Sequence, residues 1–175
     1  MRKEVSNAKG RRNKITGQIG EYLASAELAR RGYVVTTFAG NVPEFDIIAV
    51  DDKLRSFPIQ VKAIRGGSWQ FDAREYIDIT LHNNIQTIHG KKRLRHPDLI
   101  FIMVLIAGSY GEDKFYLVNK SRIRNIIFKK YSAWLKEKKG RRPKNPESFH
   151  CIIAPKDLAF FENNWGLIHR TKRRS

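Results

Sequence analysis

The sequence predicts an α/β protein, a mixed central β-sheet flanked by helices. Three observations point that way. A helical stretch at 16–31 leads directly into three strands; a uniformly apolar run follows at Leu99–Ala107; a long amphipathic helix comes next, with one more strand behind it. A strand apolar on both faces belongs inside a sheet that is covered on both sides. The length, 175 residues, suits one domain that buries roughly 70% of its unfolded surface, and 41% hydrophobic content supports a packed core. The expected organisation is a basic flexible arm over 1–14, a single domain over 15–165 and a basic tail over 166–175.

The arm carries Arg2, Lys3, Lys9, Arg11, Arg12 and Lys14 against one acid, without periodicity; non-specific phosphate contact is its expected role. Thr16 is the expected N-cap of the first helix. Ile15, Ile19, Tyr22, Leu23, Ala26 and Leu28 form its apolar stripe, and Gly32 stops it at a position that favours glycine. Gly17 and Gly20 each cost a helix about 1 kcal/mol relative to alanine. Small residues one turn apart let another backbone come close, and Glu21 follows directly. Strands are expected at 33–38, Phe45–Val50 and Ile59–Ile64. The turn Asp51–Ser56 is short enough to make the last two antiparallel neighbours. In the third strand Gln60 and Lys62 take one face, and Ile59, Val61 and Ala63 the other.

Beyond Gly66 and Gly67, Trp69–Phe71 and Ile77–Leu81 read as short strands or an extended excursion. His82–Pro97 is ambiguous: a short helix over Asn84–Leu94 can be drawn on Ile85, Ile88 and Leu94, against Gly90. Leu99–Ala107 is the doubly buried strand and Lys114–Asn119 its partner. Ser121 is the expected cap of a helix to about Lys138, with Ile123, Ile126, Ile127, Tyr131 and Trp134 or Leu135 inward. A basic loop over 138–146 precedes a last strand at 148–154.

The net charge of +17 makes polyanions the expected partners, nucleic acid ahead of an anionic membrane surface. A lone cysteine, Cys151, excludes an intramolecular disulfide and a multi-thiolate zinc site, and reads as a small buried strand residue. The basic N-terminus has no apolar segment behind it, and no apolar run is long enough to span a bilayer. A soluble cytoplasmic protein without a membrane partner is expected.

If the second and third strands pair, Asp46 approaches Gln60 and Lys62. A carboxylate, an amide oxygen and an ammonium at one strand end can hold a hard divalent cation and orient a water. Gly17–Ala24, Phe45–Val50 and Ile59–Ala63, which carry Glu21, Asp46, Gln60 and Lys62 in that order, resemble the PD-(D/E)XK nuclease superfamily, the restriction-endonuclease-like fold. The resemblance is close over 15–64 and looser to about Asn119. The family takes a glutamate from the first helix, an aspartate from the second strand and an acid-x-lysine pair from the third. Gln60 departs from the commonest pattern, which has Glu or Asp there. A Q-x-K variant is found among Mrr-like restriction enzymes and some homing endonucleases of this fold. Glutamine offers a carbonyl oxygen without charge, so the cation binds more weakly.

The resemblance implies a nuclease-like domain that hydrolyses DNA phosphodiester bonds with Mg²⁺, with Mn²⁺ able to substitute, in restriction, homing, repair or junction resolution. Asp46, the Gln60 amide oxygen and the Val61 backbone carbonyl would hold the ion. Lys62 would orient the water or stabilise charge developing on phosphorus, and Glu21 would act one layer out, through water or a second ion. Candidate DNA contacts are Lys14, Gly17, Gln18, Arg65, Lys91, Lys92, Arg93 and Arg95. Cutting two strands needs two sites, so a dimer or tetramer is expected. The alternatives are a catalytically inactive nucleic-acid-binding protein on the same fold, and a basic RNA-associated protein whose motif match is coincidence.

Other polar residues have plainer readings. Glu44 would point away from Asp46 if the strand has already begun there, and reads as a surface residue; Asp51 and Asp52 serve the turn. Asp72 and Glu75 could reach the site only from the excursion. His82, His89 and His96 lack metal-ligand spacing. Trp69, Phe71 and Tyr76 suit core packing more than stacking on a base.

Overall fold

The computed structural model describes residues 2–38, 43–109 and 111–170. In chain order the elements are α1 (Arg2–Arg30), β1 (Val34–Thr37), β2 (Ile47–Val50), β3 (Ser56–Ile64), β4 (Trp69–Asp72), β5 (Ile77–His82), β6 (Ile85–Lys91), β7 (Ile100–Leu105), β8 (Lys114–Asn119), α2 (Lys120–Glu137), β9 (His150–Ile153) and α3 (Leu167–Arg170). Their contacts form two compact units. The first comprises Met1–Gly67, Leu99–Val118 and Ala159–Ser175; the second comprises Ser68–Asp98 and Asn119–Leu158.

The first unit is built on a five-stranded sheet of order β1-β2-β3-β7-β8. The pairs β1–β2 and β2–β3 are antiparallel and β3–β7 is parallel, so the sheet is mixed, as the sequence predicts. Chain distance explains the difference. The β2–β3 turn is held by Asp51, which accepts from the backbone N–H of Lys53 at 3.0 Å and of Arg55 at 2.8 Å and pairs with the Arg55 guanidinium. A parallel neighbour needs a long crossover, and Arg65–Leu99 supplies it.

On one face of this sheet Ile47, Ala49, Ile59, Val61, Ile100, Ile102, Val104 and Leu117 pack with Ala24 and Leu28 of α1 and Ile168 of α3. The helix stripe differs from the expected one. Gly20, Ala24 and Leu28 are buried with Ile19 and Leu23 beside them, whereas Ile15, Tyr22 and Ala26 are exposed. Gly20 sets this register: a Cβ placed there would lie 2.3 Å from the Ala63 Cβ. Gly17 has nothing within 4 Å, so of the two glycines only Gly20 serves a close approach. The helix also starts far earlier than Thr16, at Arg2, and takes in the segment expected as an arm. Of the expected tail, Ile168 is fully buried, and 171–175 lie outside the described residues.

The second unit joins the antiparallel pair β4–β9, the hairpin β5–β6 and α2. Where a short helix over Asn84–Leu94 was one option, the chain forms β6. The turn residues Asn83 and Asn84 have φ of 49° and 63°, the left-handed pair that a two-residue hairpin requires and that Asn tolerates. The cap of α2 is Asn119 rather than Ser121: its side chain accepts from the Arg122 backbone N–H at 3.1 Å, and the Ser121 hydroxyl donates to the same oxygen at 3.0 Å. Ile123, Ile127, Tyr131 and Leu135 are buried. Trp69, Phe71 and Tyr76 are buried too, which removes them as stacking platforms. Cys151 lies in β9, where burial pushes its thiol up to about 12.

Candidate active site

Asp46 precedes β2 by one residue, and its backbone N–H donates to the Ile59 carbonyl at 2.9 Å. Because Ile47 faces the core opposite Ile59, the alternation turns Asp46 to the face that carries Gln60 and Lys62. Asp46 Oδ2 accepts the Val61 backbone N–H at 2.7 Å and the Gln60 amide Nε2–H. The same Nε2 lies 3.4 Å from the Val61 carbonyl oxygen. Gln60 and Lys62 register against Phe101 and Met103 of β7, both buried. Sequence reasoning did not single out these two apolar neighbours. Nothing in a uniformly apolar run says which residues will flank a site; only the register does.

Electrostatics tie the group together. Burial raises the Asp46 carboxyl, against the lowering effects of the Val61 N–H, the Lys62 charge and the Gln60 amide. Glu21 is raised by burial first and by the charge of Asp46 second. Gly20, by letting α1 approach β3, brings the next residue, Glu21, into that field. Asp46, Gln60 and Val61 therefore touch within the first unit, and the charges of Lys62 and Glu21 act on Asp46 from nearby. Among the described residues no three His, Cys, Asp or Glu side chains gather as a metal cage, so an ion here would rest on two carboxylates helped by neutral oxygens.

The remaining candidates divide between the units. Lys14, Gln18 and Arg65 are exposed in the first, Gly17 is half-buried, and Gln18 donates to the Tyr22 hydroxyl at 2.8 Å. Lys91, Lys92, Arg93 and Arg95 are exposed in the second. The Lys92 ammonium donates to the Arg74 carbonyl at 3.1 Å, and Lys91 lies over the Phe128 ring at 5.4 Å. Asp72 is engaged by Arg74 at 2.6 Å, Asp51 by the turn, and His82, His89 and His96 are exposed. No helix among the described residues is long and apolar enough to cross a membrane.

No protein-family profile matches the sequence, and no curated protein matches it. Among solved structures the chain is similar to a bacterial homing endonuclease, I-Ssp6803I, with a TM-score of 0.47 and 13% identity over 90% of this chain and 93% of that one.

Proposed function

We propose that this chain is a Mg²⁺-dependent endodeoxyribonuclease of the PD-(D/E)XK type, serving restriction, homing, repair or junction resolution. The observation that supports this reading most is the meeting of Asp46, Gln60 and Lys62 on one sheet face, with Glu21 in the field of Asp46. The donor set fits a hard cation. Asp46 Oδ1 takes no part in the two bonds made by Oδ2, Glu21 adds a second carboxylate, and Gln60 and Val61 offer neutral oxygens. Magnesium asks a protein for one or two carboxylates and otherwise keeps water and phosphate oxygens.

Bound there, the ion would polarise the scissile phosphate and lower the pKa of a water, and Mn²⁺ would substitute for it. To ligate, Gln60 turns its amide over. Its Nε2 now faces the Asp46 carboxylate, the orientation that suits an anion, and a half-turn presents the carbonyl oxygen instead. Lys62 brings a fixed positive charge to the point where charge builds on phosphorus, or holds the attacking water. Duplex DNA is the substrate, and a dimer or tetramer supplies one site per strand.

The test is plasmid nicking with and without Mg²⁺, alongside duplex binding. Cleavage that needs the metal and disappears in Asp46→Ala and Lys62→Ala, while both variants still bind, is the expected result. Gln60, which brings no charge, favours a second reading: a binding protein on the same fold without activity. Wild-type protein that binds duplex yet never nicks it in Mg²⁺ or Mn²⁺ would establish that alternative.

A further inference from the structure

The stretch Ile79–Gly90 contains no Lys, Arg, Asp or Glu, in a chain where 29% of residues carry a charge. It is most of the β5–β6 hairpin, whose register pairs Thr80 with Thr87 and His82 with Ile85. Its two faces differ. Ile77 and Gln86 are buried, and Ile79, Leu81 and Ile88 are half-buried, on the face that packs with α2. Thr80, His82, Thr87 and His89 are exposed on the other, and the Thr80 hydroxyl meets His89 Nε2 at 2.9 Å. An exposed hairpin usually carries Lys and Glu on its solvent face to stay soluble and to avoid pairing with strangers. Here that face offers neutral donors and acceptors instead.

Cations bracket this neutral face. At its C-terminal end Lys91 turns back over the Phe128 ring of α2 and the Lys92 ammonium donates to the Arg74 carbonyl, and the chain runs on into Arg93 and Arg95, both exposed. Near its turn lies the loop after α2, which exposes Lys139, Arg141 and Lys144. That loop is held in shape by a network centred on Gln86. The Gln86 backbone N–H donates to the Gly140 carbonyl at 2.8 Å. Its side-chain amide donates to the carbonyls of Pro146 at 2.7 Å and Ser148 at 3.0 Å, and its amide oxygen accepts the Tyr131 hydroxyl at 2.6 Å. Arg142 donates to the His150 carbonyl at 2.7 Å and lies over Trp134. At Gly140, φ is +77° and a Cβ would lie 2.9 Å from Ile85.

We infer that the exposed face of the β5–β6 ribbon reads base edges in the major groove of duplex DNA, with Lys139, Arg141 and Lys144 at the tip and Arg93 and Arg95 at the base gripping phosphates. This rests on the reading of the chain as a DNA-acting protein and names the surface that would choose the sequence. The dimensions agree: two strands about 4.8 Å apart, with side chains, match a groove about 12 Å wide and not one about 6 Å wide. Division of labour agrees as well, because phosphate contacts position a protein while hydrogen bonds and apolar contacts to base edges specify sequence. Thr80 and Thr87 suit either a base edge or a thymine methyl, and Ile85 beside them adds apolar contact.

Selection of bound duplexes from a randomised pool tests this on the full chain. The wild type enriches a sequence; Thr80→Ala with Thr87→Ala lowers the preference for that sequence over random duplex by about 10-fold and leaves random-duplex affinity unchanged. Lys139→Gln, Arg141→Gln and Lys144→Gln together weaken both duplexes equally and reduce the slope of log affinity against log salt by about 3. Melting curves that match the wild type confirm that these surface variants fold. The inference is overturned if the wild type enriches no sequence, or if the threonine variant keeps the same preference. Plasmid nicking is scored separately. A protein that nicks while the threonine variant keeps its preference loses only the groove assignment, and one that selects through the ribbon but never nicks loses only the nuclease.

Discussion

The first unit holds both acids of the candidate site, Glu21 and Asp46, on or beside a buried sheet. The second holds 17 Lys and Arg against 7 Asp and Glu, a net +10 out of the chain's +17, and none of the acid site. The contrast is physical. Acids that must hold a cation need a rigid setting in which burial and neighbours are fixed, and a sheet with an α-helix pressed against one strand provides it. Cations that grip a polyanion work best exposed, on turns and loops, where the field reaches outward. On the proposed function, bond breaking should therefore be separable by mutation from the part of holding that falls to the second unit.

The largest separation is expected from Asp46→Ala and Lys62→Ala. Each should lower the nicking rate by about 100- to 1,000-fold, the usual loss when a preorganised charge is removed from a reacting centre, with duplex affinity nearly unchanged by fluorescence anisotropy. Equal losses of both would break the division. Within the first unit, Gly20→Ala should cost about 1–3 kcal/mol in urea unfolding, because its Cβ overlaps the Ala63 Cβ and overpacking costs that much. Gly17→Ala, with open space around it, should instead gain about 1 kcal/mol. In the second unit, Tyr131→Phe leaves the Gln86 amide oxygen without its donor. A loss of about 1–2 kcal/mol follows, visible in hydrogen exchange as faster opening of 138–149.

The smallest effect is one of pH. Burial foremost raises Asp46 above its ordinary 3.8 and Glu21 above its ordinary 4.5, with the charge of Asp46 adding to the rise of Glu21. The native state thus binds these protons more tightly than the unfolded chain. Stability falls as pH climbs from below the ordinary values through the raised ones. Asp46→Asn should accordingly melt slightly higher than wild type at neutral pH, and the gap should close on acidification below both ordinary values. Mg²⁺ should raise the melting temperature of the wild type alone.

Much of the first unit was legible because its signals are local: the β-branched runs, the Asp51 turn and the apolar run at Leu99–Ala107 each describe themselves. The convergence of Asp46 with Gln60 and Lys62 followed from one hairpin and a period of two. The helix stripe departs from its expected residues because hydrophobicity alone favours Ile15 and Tyr22 over Gly20 and Ala24; close packing prefers the small residues, and that preference depends on β3. The β5–β6 hairpin carries a signal in the sequence. Alternation on both sides of Asn83 and Asn84 is the pattern of a ribbon with a two-residue turn, but Ile85, Ile88 and Leu94 mimic a helical period. Phe101 and Met103 were out of reach, since a parallel register cannot be read from either strand alone.

The first unit is assembled from three stretches of chain with the second threaded between them, and Ile168 fills its core beside Leu28. Translation releases Leu28 long before Ile168 can join it. The growing polypeptide must therefore carry an unfinished core through its synthesis, exposed to chaperones and proteases until residue 168 has cleared the ribosome. Expression yield should respond more sharply to a stop placed just before Trp165 than to one placed just after Arg170.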